Sequence, residues 1–184
     1  GLNLDVNILP SMIYLNSREW RIQPSHMRVN GDGVDVTSVE FISDGQSIDI
    51  SGRVSKTKQD TLTLNLNRFD ISVINPLLGG DFGLKGAATG RAQLTSPLKT
   101  KGLLADILCD STYLAGKPLG TVTLASKWDE DFDRFDIDVR NELNGTSNIE
   151  ATGKLTPKTK SLEATARLNR LDVGYVEPVL KEIF

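Results

Sequence analysis

Most of the chain alternates between apolar and polar residues. In LNLDVNI, Leu2, Leu4, Val6 and Ile8 take one side, and Asn3, Asp5 and Asn7 the other. SIDISG repeats the pattern with Ile48 and Ile50, and TLTLNLN sets Leu62, Leu64 and Leu66 against Thr61, Thr63, Asn65 and Asn67. A period of two with one apolar side predicts antiparallel strands with one face sheltered and the other in water. TVTLASKW, RFDIDVR, NIEATGKL and SLEATARL continue it, bringing Ile149 and Leu155 to one strand's apolar side and Leu162 and Leu168 to another's. Between them, NGDG, SKTKQD, NGT and TPKTK have the composition of hairpin connections, which predicts strands of about six residues.

Two segments leave this rhythm for a spacing of three to four. FDISVINPLLGG aligns Ile71, Ile74, Leu77 and Leu78, and LDVGYVEPVLKEIF aligns Val173, Val176, Val179, Leu180 and Ile183. Short helices are expected near 70–79 and 172–184. Asp70 and Asp172 stand where an N-cap carboxylate accepts from free helix N–H groups. The internal prolines Pro76 and Pro178 keep each helix brief or kinked.

These segments repeat each other. NRFDISVINPLL at 67–78 matches NRLDVGYVEPVL at 169–180 through Asn67, Arg68, Asp70, Pro76 and Leu78 against Asn169, Arg170, Asp172, Pro178 and Leu180. The match extends upstream, where Gly52 corresponds to Gly153, with small differences in loop and strand length. The organisation expected is a run of strands closed by a short capped helix, written twice: residues 1–80 and residues 81–184. Such units grow by stacking along one axis.

Composition poses the physical problem. Aromatics make up 6% of the chain, and no long amphipathic helix is present to cover a sheet. The apolar face must be shielded either by a second sheet or by curling one sheet inward. GLKGAATGRAQL puts Gly86, Ala88, Gly90 and Ala92 at period two, a face of minimal volume where a sheet bends or another backbone approaches. The fold expected is therefore all-β: a curled, mostly antiparallel sheet forming an elongated apolar groove. Its expected lining is Ile48, Ile50, Leu62, Leu64, Leu66, Ile149, Leu155, Leu162 and Leu168. The alternative is a closed β-sandwich whose strand edges dock protein partners by β-augmentation. In the stacked form, strand edges at residues 2–8 and beyond Ile149 are left open, and self-association end to end follows.

The totals narrow the chemistry. Net charge is −3 over 184 residues, and no Lys/Arg run interleaves with aromatics, which argues against nucleic acid. No apolar run reaches the roughly 18 residues of a membrane-spanning helix. The chain opens on Gly1 rather than Met, so a piece of a longer protein is expected. Cys109, the only cysteine, reads as a small buried apolar residue rather than a reactive thiol. In WDEDFDRFDIDV the acids Asp136 and Asp138 alternate with Phe135, Ile137 and Val139, the mark of a solvated strand face rather than a calcium loop. NGDGVD reads as a hairpin turn, and Asn144 in NGT as a hairpin tip that also matches a glycosylation sequon. Asp60 in DTL and Asp110 with Ser111 in DST match short O-glycosylation signals. His26 has no nucleophile motif around it, so neither catalysis nor a metal or cofactor is expected. A glycan hydrolase would need paired carboxylates among aromatics, and aromatics are scarce.

One ordered set of residues carries a family resemblance. INPLLGG is followed by LKGAATGRAQLTSPLKTKGLLADILCDSTYLAGKPLGTVTLASKW, giving Pro76, Gly86, Ala88, Gly90, Pro97, Leu98, Asp106, Pro118, Leu119, Gly120 and Trp128 in that order. Over residues 20–184 this resembles the TamB-type translocation and assembly modules of Gram-negative envelopes, in the AsmA-like group, especially their Bacteroidetes branch. The resemblance implies a periplasmic segment of a protein held in the inner membrane by a part outside this chain. It implies a repeating β-groove that binds or conducts lipid acyl chains, phospholipid above all, toward the outer membrane. An outer-membrane assembly protein is the implied protein partner. The family brings no catalytic signature.

Overall fold

The computed structural model describes residues 3–15, 18–55, 60–78, 83–95, 103–129, 131, 133–156, 158–159 and 161–169. Thirteen strands follow one another: β1 (Leu4–Ile8), β2 (Ser11–Leu15), β3 (Arg18–Ile22), β4 (Ser25–Asn30), β5 (Gly33–Ser43), β6 (Gln46–Ser55) and β7 (Thr61–Asp70). After a 3-10 helix (Ile71–Leu78) come β8 (Lys85–Thr95), β9 (Leu103–Leu114), β10 (Lys117–Asp129), β11 (Arg134–Glu142), β12 (Ile149–Thr156) and β13 (Ser161–Leu168). All belong to one antiparallel sheet in the order β1-β4-β5-β6-β7-β8-β9-β10-β11-β12-β13, with β3 joined to the side of β5 and β2 paired to β3. The sheet is not closed into a barrel, in keeping with the curled form expected. The closed sandwich is not formed, because the described strands make one sheet instead of two facing ones.

From β4 onward the topology is a meander in which each strand pairs with the next. Successive hairpins follow directly from the turn residues. Asn30 Oδ1 accepts from the Asp32 and Gly33 N–H groups at 3.0 and 2.9 Å, closing the turn of NGDGVD. Asn144 and Gly145 both take positive φ, 54° and 73°, as a two-residue hairpin tip requires. Alternating charge helps to hold the first strands in line. Asp5, Arg28, Asp35 and Arg53 are paired in one row, with Arg28–Asp5 at 3.0 Å and Arg53–Asp35 at 2.7 Å. The sheet passes unbroken from β7 to β8, so residue 80 divides the repeat but not the hydrogen bonding.

Strand length departs from expectation. β5 to β10 run for 10 to 13 residues, because bulges carry them through irregular segments where a regular ladder would stop. Register shifts lie between Val36 and Val39, Leu66 and Phe69, and Lys85 and Ala87, and again between Pro118 and Val122. Within β6 and β8, Gly52 and Gly90 adopt φ of 124° and 153°, and a Cβ would run into the carbonyls of Thr61 and Asp106. Only glycine permits this approach. Kinks of this kind are how long strands acquire curvature.

The first expected helix is present as a 3-10 turn. Asp70 caps it, its Oδ1 accepting from the Ser72 N–H at 3.0 Å. Asn75 ties it to the sheet, donating to the Ser72 and Leu84 carbonyls and accepting from the Leu84 N–H at 3.1 Å. Pro76 supplies no backbone donor, which limits regular α-helical bonding. The second expected helix, with Asp172, Pro178 and Leu180, lies outside the described residues.

Among the described strands, open edges fall at β1 and, beyond Ile149, at β13, both as expected, and also at β2, which pairs only with β3.

Candidate functional site

Direct cross-strand partners lie on the same side of a sheet, so the register shows which residues share a face. One row reads Phe41, Ile48, Leu66, Gly90, Ile107, Leu124, Val139, Ala151 and Ala166 across β5 to β13. The row beside it reads Val39, Ile50, Leu64, Ala92, Ala105, Ser126, Ile137, Gly153 and Ala164. A third, shorter row joins Trp128, Phe135, Leu155 and Leu162. Apolar parity is thus kept over nine consecutive strands, with Ser126 the one polar side chain in these three rows.

All nine residues expected to line a groove fall on this face. Ile48 pairs with Leu66, Ile50 with Leu64, Gly52 with Leu62, Leu155 with Leu162 and Ile149 with Leu168. Ile48, Ile50, Leu62, Leu64, Leu66, Ile149 and Leu155 are half-buried. They shelter one another, as side chains do on the inner side of a curl. Leu162 and Leu168, on the edge strand, are 63% and 48% exposed. The expectation did not include Phe41, Ile107, Leu124, Ile137 and Val139, which connect the two groups. Their alternation is visible in LADILCD, TVTLAS and RFDIDV, and following parity through every strand would have found them.

The ends of the face differ from its middle. At the end bearing the 3-10 helix, Trp20 is 3% exposed and its ring lies 6.1 Å from that of Phe69. Ile71 is buried there too, close against Gly86. Asn141, 4% exposed, donates to the Leu119 carbonyl at 2.8 Å and accepts from the Asn148 and Ile149 N–H groups at 3.0 and 2.6 Å. It therefore satisfies backbone groups at the β10 bulge and before β12 that would otherwise be costly to bury. At the far end Trp128 meets Phe135 edge-on, ring centroids 4.6 Å apart.

The opposite face is polar. Directly behind the apolar rows run Asp49, Asn65, Arg91, Asp106, Ala125, Asp138, Thr152 and Thr165. Asn65 links Asp49 and Arg91 by bonds of 3.1 and 3.0 Å. Asp136 and Asp138 stand on this face, as their alternation predicts, and Arg134 bridges Asp129 and Asp136, both at 3.2 Å. A shallow hollow of about 370 Å³ over β10–β13 is lined here by Lys127, Arg134, Asp136, Asp138, Lys154 and Glu163, three charges of each sign.

The remaining singled-out residues have structural surroundings. His26 Nδ1 lies 3.0 Å from Asn7 Oδ1, and its Nε2 lies 3.3 Å from Asp5. The Arg28 hydrogen bond holds the Asp5 carboxyl below the ordinary carboxylate range. Asp60 lies 3.4 Å from Arg53, and Asp110 precedes Ser111, which takes a positive φ of 50° in β9. Cys109 pairs with Ala88 and Val122 on the apolar side, half-buried, and burial pushes its thiol pKa up, away from thiolate chemistry. Among the described residues, no three His, Cys, Asp or Glu side chains converge as metal ligands do. The aligned rows offer a surface for apolar contact.

Compared with protein-family models, curated proteins and solved structures, the chain matches none.

Proposed function

We propose that the apolar face of this sheet binds lipid acyl chains and passes them along its rows. In this reading the chain is a periplasmic segment of a TamB-type envelope protein, held in the inner membrane by a part outside this chain. It carries phospholipid tails toward the outer membrane and works beside an outer-membrane assembly protein. The observation that carries the reading is the unbroken row from Phe41 to Ala166, apolar on every strand.

The dimensions suit this use. Strands repeat every 4.8 Å or so, which makes a nine-strand row about 38 Å long. One acyl chain spans about half of a roughly 30 Å hydrocarbon core, so two tails fit end to end. Each sheltered methylene contributes about 0.8 kcal/mol, and ten contribute about 8 kcal/mol before ordering costs. A tail is then held without a head-group site. The scarcity of aromatics fits a carrier of tails better than a glycan hydrolase. The runner-up, a closed sandwich that docks proteins, needs an architecture different from one open sheet.

The test is photo-crosslinking in cells from position 64 compared with position 63, neighbours on opposite faces. Lipid labelled from 64 and not from 63 is expected. Equal labelling from both, or none from either, removes the conduit.

A further inference from the structure

Edge strand β13 reads almost the same in both directions, with Glu163 and Arg167 exchanged about its centre. Its sequence Leu162-Glu163-Ala164-Thr165-Ala166-Arg167-Leu168 is chemically palindromic about Thr165. From this we infer that two copies of the chain join edge to edge through β13, antiparallel and two-fold symmetric at Thr165. The inference does not depend on what the apolar face carries.

Three observations converge on it. First, β13 is exposed along its whole length, and its outer side has no strand partner among the described residues. An edge of this length without bulge or proline is a template for pairing.

Second, the hydrogen-bonding phase fits. The Asn169 N–H donates inward to the Asn148 carbonyl at 2.8 Å, so odd-numbered residues of the strand bond to β12. The even-numbered Leu162, Ala164, Ala166 and Leu168 then direct their N–H and C=O groups outward. In the symmetric register Leu162 meets Leu168 and Ala164 meets Ala166, so every outward donor finds an outward acceptor. A shift by one residue would leave them all unpaired.

Third, the side chains match on both faces. Leucine lies against leucine and alanine against alanine on the apolar side. On the polar side Glu163 meets Arg167 twice, once on each side of the axis. Arg167 is free to turn, its one described ion pair with Glu150 being long at 4.0 Å and 82% exposed. The other edge is a poorer partner. With the apolar faces aligned, β1 or β2 of a second copy would lie parallel to β13, the weaker arrangement, and Asp5 of β1 is already engaged by Arg28 and His26.

The antiparallel join makes one sheet of two copies, with the apolar rows continuous across the axis. Thr165 and its symmetry mate form a non-hydrogen-bonded pair, with Cα atoms about 4.5 Å apart, within reach of a disulfide. The experiment uses the chain with Cys109→Ala, sedimentation to measure association, and Thr165→Cys under mild oxidation. Reversible dimers are expected, and Thr165→Cys should lock them faster than Glu163→Cys, whose partner across the axis is Arg167. Glu163→Arg should raise the dimer Kd about tenfold or more, since two opposite-charge pairs become like-charge pairs. Glu163→Arg combined with Arg167→Glu should bring association back, which a merely damaged fold would not do. A monomer at every concentration overturns the inference. So does a dimer indifferent to charge reversal at 163, which would place the contact on another surface.

Discussion

The β6–β7 and β12–β13 hairpins carry related sequences and share a register, yet they differ in every measure of shelter. Ile48 faces Leu66 as Ile149 faces Leu168, Ile50 faces Leu64 as Ala151 faces Ala166, and Gly52 faces Leu62 as Gly153 faces Ala164. In the first copy nearly every residue is half-buried on both faces; in the second, all of β13 is exposed. The cause is the neighbour. β7 is flanked by β8, and β13 has no described strand on its far side. The matched glycines separate as well. Gly52 is kinked at φ 124° against the β7 backbone, while Gly153 is an ordinary strand residue with nothing closer than 3.7 Å to a Cβ. Local sequence decides pairing and face, and position in the sheet decides burial.

The largest test of this contrast is at the glycines. Gly52→Val forces a branched side chain into a left-handed φ and a carbonyl, and should cost about 3 kcal/mol or more in urea unfolding. Gly153→Val adds a good strand former where a Cβ meets only ordinary van der Waals contacts, and should change stability by less than about 1 kcal/mol. Equal costs would mean that the copies are bent alike.

Next come inward charges. Leu64→Asp puts a carboxylate among half-buried apolar neighbours and should cost about 2–3 kcal/mol. Leu162→Asp, at an edge position 63% exposed, should stay within about 0.5 kcal/mol. On the acyl-carrier reading both reduce lipid labelling despite this difference, a separation of stability from function that a thermal melt and a crosslinking gel can read together.

The smallest effect is at the cap. Asp70→Ala should lower stability by about 1 kcal/mol while the strand signal in circular dichroism persists. Burial tends to raise the Asp70 carboxyl pKa, but the Ser72 hydrogen bonds and the nearby Arg18 charge outweigh it and hold the group below its usual value. A depressed carboxyl stabilises the fold above the unfolded pKa of about 3.9, and that contribution fades as pH falls through the lower folded value. The gap between wild type and Asp70→Ala should therefore close in acid and be constant near neutrality.

Much of the architecture was legible because parity is a strict rule. A strand such as Thr61–Asp70 cannot put Leu62, Leu64 and Leu66 on different faces while it remains extended. The hairpins were legible from Asn30, Asn144 and their glycines. Bulges were only partly legible: those at Gly86 and Gly120 fall on glycines with positive φ, but the others rest on residues with no special preference. Arg68 sits at φ 50° in β7 and nothing in its chemistry announces a left-handed backbone. Strand length was misjudged for the same reason, since each bulge carries pairing past a point where alternation breaks. The buried polar groups were also silent: Asn141 and Gln46 are interior because they satisfy backbone groups distant in sequence. Of the apolar lining, the nine residues expected all fall on the open face, and those missed lie on intervening strands read one at a time.

A single open layer has a thermodynamic signature of its own. A globular chain of 20.1 kDa exposes about 8,700 Å², whereas this one exposes 11836 Å². Less surface is hidden on folding, so the increase in heat capacity on unfolding falls below the usual value of about 12–15 cal/mol/K per residue. The stability curve flattens, changing little between cold and warm. Whatever lies along the face supplies the missing buried area, and the melting temperature then rises with the concentration of that occupant.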